Sequence, residues 1–86
     1  MDGSFSFLSA TQSVLMNAIL ERRNRTLYVR VRKDDVISRS DGEEIMAALS
    51  DEFADNLDDD WEPTEYGRTV SALMAQFNAA RIREWP

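Results

Sequence analysis

The sequence predicts a small, helix-dominant α+β domain ordered helix, β-hairpin, helix, helix. Three observations carry that expectation. Apolar residues recur at helical spacing in three separate stretches. One short stretch, Thr26–Arg32, alternates apolar and polar residues with a period of two. The chain has only three Gly and two Pro in 86 residues, which favours long regular elements over loops. All 86 residues are read as one domain, because half of that length cannot bury a core of its own. Residues 1–7 precede the first periodic stretch and are expected to be loosely packed or disordered.

The first helix is expected from about Ser9 to Arg25. Ser9 and Gln12 have the spacing of a capping box, in which each side chain satisfies the other's backbone N–H. Leu8, Leu15, Ala18 and Ile19 fall near one face, and Arg22, Arg23 and Arg25 complement the helix dipole at the end. In Thr26–Arg32, Leu27, Val29 and Val31 would point to one side and Tyr28, Arg30 and Arg32 to the other, as in a half-buried strand. Lys33-Asp34-Asp35 reads as a turn and Val36–Arg39 as the returning strand. A two-stranded ribbon is marginal alone and must pack on the helices or pair with another chain.

Ser40 and Glu43 suggest a second capping box and a helix running to about Leu57, with Ile45, Met46, Leu49, Phe53 and Leu57 as its buried stripe. Its other side would carry Glu44, Asp51, Glu52 and Asp55. A third helix is expected to start near Pro63 or Thr64, bury Tyr66, Val70, Leu73, Met74 and Phe77, and continue toward Trp85. Met46 and Met74 suit gap-filling in the core. Trp61 and Trp85 suit either covering the ends of that core or anchoring a partner.

Composition excludes whole classes of chemistry. There is no Cys and no His. The chain therefore lacks the imidazole or thiol of Ser–His and Cys–His catalysis, the usual ligands of structural zinc, haem and iron–sulfur clusters, and any disulfide. Asp55, Asp58, Asp59, Asp60 and Glu62 invite a calcium reading, but an EF-hand counted from Asp58 would need Gly at Pro63 and Glu at Thr69. Gly3, Gly42 and Gly67 are too dispersed for a phosphate-cradling loop. The expectation is a protein without catalysis, cofactor or metal. No apolar run is long enough to span a membrane and the first residues lack the basic start of a leader, so a cytoplasmic location is expected.

The net charge of −6 is an average over unlike parts. Residues 1–39 hold seven basic and four acidic side chains (+3), residues 40–65 hold eleven acidic and none basic (−11), and residues 66–86 hold three basic and one acidic (+2). Eleven carboxylates in that span repel one another unless arginines elsewhere in the fold neutralise them. The acidic segment reads either as a solvated surface or as a surface presented to a cationic target, with nucleic-acid mimicry as one form of it.

The favoured expectation is a regulator or inhibitor that binds a protein with a basic surface through Asp51, Asp55, Asp58, Asp59, Asp60, Trp61 and Glu62. A homodimer is a further expected partner state. The alternative is a dimeric winged-helix-like DNA-binding regulator, using Arg22, Arg23, Arg25, Tyr28, Arg30 and Arg32 of the Arg-rich hairpin and the helix before it. The acidic balance disfavours nucleic acid as the partner, and Arg30 and Arg32 have the plainer roles of blunting a strand edge or pairing with the acidic helix.

Trp61–Val70 resembles the segment that opens the last helix in HxlR-like winged-helix regulators, where a Leu-Thr-x-x-Gly-Arg pattern leads into a dimerisation helix. Thr64, Gly67 and Arg68 match, as do the apolar positions Val70 and Leu73, while Pro63 stands in place of the Leu. The resemblance covers about ten of the 86 residues. The family places its wing after a recognition helix, whereas this chain places its expected hairpin before the acidic helix. No functional residue is carried over from it.

Overall fold

A computed structural model describes all 86 residues and contains four helices with no sheet. These are α1 (Ala10–Arg23), α2 (Arg25–Asp34), α3 (Arg39–Ala54) and α4 (Glu65–Glu84). The expected α+β class is therefore wrong: the domain is helical. The Arg-rich hairpin does not exist.

Where a first strand was expected, the chain forms α2. Leu27 and Val31 are four residues apart, a spacing that satisfies both the strand period and one turn of helix. Val29 separates the two readings. A strand would bury it with its neighbours, but here it is 51% exposed while Leu27 and Val31 are sealed. Local chemistry supports the helix. The Asn24 side chain accepts from the Leu27 backbone N–H (3.2 Å), and Asp35 closes the other end in a left-handed conformation with its N–H donating to the Val31 carbonyl. One turn apart, the Arg32 guanidinium lies 5.3 Å from the Tyr28 ring centre. Three β-branched residues make a weak strand preference, which packing of one apolar face overrides.

The expected returning strand is an extended link whose only ladder contact is an Asp2–Val36 bridge to the N-terminal residues. Its flanks are Gly3 N–H to the Asp35 carbonyl (3.0 Å) and Ile37 N–H to the Met1 carbonyl (2.7 Å). The approach is close enough to require Gly3, since a Cβ there would lie 2.8 Å from the Asp35 carbonyl carbon. This pairing carries Phe5 into the core, where it is 1% exposed. The Phe5, Phe7 and Phe77 rings stand 6.1 to 6.5 Å apart, so the segment expected to be loose closes one side of the bundle.

The other elements lie close to their expected places. The Ser9–Gln12 capping box forms in both directions. α1 buries Met16, Ile19 and Leu20, while Ala18 turns outward. α3 begins two residues earlier than expected, because Ser38 rather than Ser40 caps it by accepting from the Asp41 N–H. It ends at Ala54, before Leu57. α4 is capped by Thr64 through the Gly67 N–H and buries Val70, Leu73 and Phe77. α3 and α4 form an antiparallel pair. At its far end, Gly42 lets the Trp85 ring lie on α3, because a Cβ at position 42 would come within 2.9 Å of that ring.

Candidate functional site

The eleven carboxylates of residues 40–65 do not form one surface. Their positions on α3 divide them. Asp41, Ile45, Ala48, Leu49 and Glu52 share one helical stripe, and all five are buried. The expectation that Glu52 belongs to the outer face is thus corrected: it lies seven residues beyond Ile45, on the inward side.

Glu52 is 3% exposed and fully engaged. Its Oε1 accepts from Arg23 Nε (2.6 Å), and its Oε2 accepts from the Tyr66 hydroxyl (2.6 Å) and from Arg22. Burial pushes this carboxyl up, but the hydrogen bonds from Tyr66, Arg23 and Arg22 outweigh it and hold it down to about 2. Burial, followed by the bond to Glu52, raises the Tyr66 phenol. Asp41 is arranged alike. It accepts from Arg30 Nε (3.1 Å) and Nη2 (2.6 Å), and the same Nη2 reaches Glu44 (2.8 Å). The Arg30 guanidinium holds the Asp41 carboxyl below its ordinary range. These pairs tie α1 and α4 to α3 through Glu52, and α2 to α3 through Asp41.

Three of the arginines expected to contact nucleic acid are therefore committed inside the molecule. Arg22 and Arg23 meet Glu52, and Arg23 also meets Asp55 (2.5 Å). Arg30 meets Asp41 and Glu44. Arg25 is exposed at the start of α2, Arg32 lies over Tyr28, and none of the six belongs to a hairpin. The winged-helix-like alternative loses the element on which it depended.

The residues expected to bind a protein partner also separate. Asp55 is taken by Arg23. Asp51 lines an open concavity of about 600 Å³ between α1 and α3, shared with Arg22, Arg23, Asn24 and Glu44. Oppositely charged side chains lie on its two walls. Asp58, Asp59, Asp60, Trp61 and Glu62 stay together on the α3–α4 connection. Asp58 organises this loop from within. Its carboxylate accepts from the backbone N–H groups of Asp60 (2.8 Å) and Glu62 (3.0 Å). Its own N–H donates to the Glu62 carbonyl (2.7 Å) while its carbonyl accepts from Trp61 (3.0 Å). A Leu57–Pro63 bridge and the Thr64 N–H to Asn56 carbonyl bond (2.9 Å) close the base.

At the tip Trp61 adopts φ 64°, a left-handed conformation that costs a non-glycine residue about 1 kcal/mol or more. Its side chain gains no burial in exchange, as Trp61 is 82% exposed. Trp85, by contrast, packs against the core. The loop thus displays an indole between the exposed Asp60 and Glu62. No group of three or more carboxylates is placed to hold a metal ion, and no helix is long and apolar enough to cross a membrane.

Sequence reasoning missed the Glu52–Arg22–Arg23–Tyr66 cluster. Its signal was present in the stripe itself, because two carboxylates at the spacing of Ile45 and Leu49 must be buried and therefore need cationic or hydroxyl partners. Comparison with protein-family models, with curated proteins and with solved structures finds no match to this chain in any of the three.

Proposed function

We propose that this chain is a non-catalytic binding protein that regulates or inhibits a protein partner with a basic surface, using the Asp58–Glu62 loop as its contact and Trp61 as its anchor. The observation that carries the reading is the 82% exposure of Trp61 on a loop internally braced by Asp58. A large exposed aromatic on a preorganised backbone loses little freedom on binding, and Trp is enriched among residues that dominate interface energy. Asp59, Asp60 and Glu62 surround it with charge that steers a cationic surface toward the indole. Glu52, Asp41 and Asp55 take no part in this contact, since their charge is met within the fold. A cytoplasmic location belongs to the same proposal.

The test is quantitative capture from extracts of the source cell on immobilised wild-type chain and two variants. One variant combines Asp59→Lys, Asp60→Lys and Glu62→Lys while keeping Asp58, so the loop retains its brace. The other is Trp61→Ala. A specific, salt-sensitive partner held by the wild type and lost from both variants is the expected result. A partner retained equally by all three would overturn the proposal.

A further inference from the structure

A second surface lies on the outer side of the α3–α4 pair and differs in kind from the loop. Met46 and Phe53 of α3 and Met74 of α4 are only half-buried and line a shallow groove of about 350 Å³ with Ser71, Ala75 and Asn78. In a chain with 30% charged residues this groove has none. From Thr69 to Ala80, α4 carries no charged side chain. The exposed residues beside the groove, Ser71, Ala75 and Ala79, are small and recur one turn apart, which allows another helix to approach closely.

A second, smaller cleft lies toward the α3 N-terminus and the end of α4. Arg39 and Glu43 on α3 precede Met46 at helical spacing, Ile82 follows Asn78 on α4, and Trp85 caps the end of that helix. With Arg81 they line this cleft. The two ends have opposite charge. The cleft end holds Arg39, Arg81 and Arg83, and one of its acids, Glu84, is already paired with the terminal ammonium group (3.0 Å). Arg81 also keeps a donor without an acceptor at Nε. The loop end holds the carboxylates of Asp58 to Glu62 and of Glu65, against Arg68 alone.

We infer that this α3–α4 face is a homodimer interface, in which a second copy of the chain lies antiparallel across the groove on a two-fold axis. Two features select that occupant. Two copies of a chain of net charge −6 repel each other, and the uncharged groove lets them meet without setting like charges together at the centre of the contact. An antiparallel two-fold then places the acidic end of each copy against the arginine end of the other, so the charge asymmetry becomes complementary twice over. Met46, Phe53 and Met74 supply the apolar centre, with thioethers that adapt to a partner helix. This inference does not rest on the loop's proposed foreign partner, and different residues test it.

Sedimentation equilibrium of the full chain over a micromolar concentration range tests it, with circular dichroism to confirm helicity. The wild type is expected to show a concentration-dependent monomer–dimer equilibrium. Ala75→Arg adds a long charged side chain at an exposed helical position and is expected to raise the dissociation constant at least tenfold with helicity unchanged. Arg39→Glu suits the α3 N-terminus as a helix position, yet it is expected to weaken the dimer several-fold, with added salt narrowing the difference from wild type. A wild type that stays monomeric throughout would overturn the inference. So would a dimer indifferent to Ala75→Arg, including one lost only in Trp61→Ala, which would place the contact on the loop.

Discussion

Glu52 and Asp60 are eight residues apart in one acidic segment, yet they belong to opposite kinds of structure. Around Glu52, two guanidinium groups and a phenol converge on a buried carboxylate and join three helices. Around Asp60, carboxylates face solvent, and the one that is engaged, Asp58, bonds only its own loop's backbone. The difference teaches that the acidic segment contains two devices. Charge directed inward and paired specifies how helices meet, whereas charge left outward is available to something else. Eleven like charges are tolerated because Arg22, Arg23 and Arg30 meet four of them: Asp41, Glu44, Glu52 and Asp55.

The sharpest way to break this comparison is Glu52→Ala. Removing this buried acceptor leaves Arg22 and Tyr66 unpaired and Arg23 with Asp55 alone, and a loss of about 3 kcal/mol in urea unfolding is expected. Acid should act on the same device. The Glu52 carboxyl sits at about 2 in the folded chain against an ordinary 4.5, so the unfolded chain binds the proton first. Stability from this group is complete above about pH 4.5 and is lost as pH falls toward about 2, by on the order of 3 kcal/mol. Asp41, also held low, contributes in the same direction. Unfolding followed across that range should show a shallower acid slope in Glu52→Gln than in the wild type.

Changes in the loop should leave stability nearly untouched or improve it. Trp61→Gly relieves a left-handed conformation while removing almost no buried surface, so a gain of up to about 1 kcal/mol in thermal unfolding is expected, together with loss of partner capture. The Asp59→Lys, Asp60→Lys and Glu62→Lys combination should shift unfolding by only about 0.5 kcal/mol. A large destabilisation by either loop variant would erase the distinction between the two regions.

Much of the helical framework was legible in the chain. Ser9 with Gln12 marks one helix start by hydrogen-bond chemistry that operates within four residues, and the end of the acidic run at Pro63-Thr64 marks another. The local address of the negative charge was legible for the same reason, since counting needs no fold. α2 was misread because Leu27 and Val31 satisfy both periods and Val29 fits the strand better. Glu52 is ambiguous in the sequence because its charge points outward while its place on the Ile45–Leu49 stripe points inward. The brace inside the loop depends on backbone geometry around Asp58, and three consecutive aspartates do not announce which one will turn inward.

By itself, the sequence determined where two helices start, at Ser9 and Thr64, that no thiol or imidazole chemistry is present, and where the acids are concentrated. These are local or compositional properties, and short-range capping and periodicity are enough to establish them. Only the tertiary structure decided that Thr26–Arg32 is a helix, that Phe5 closes the core, and which acids are answered by arginine. Each of these depends on groups distant in the chain. An ambiguous apolar pattern takes the form that packs, and a buried carboxylate is tolerated only where distant cations and a hydroxyl converge on it.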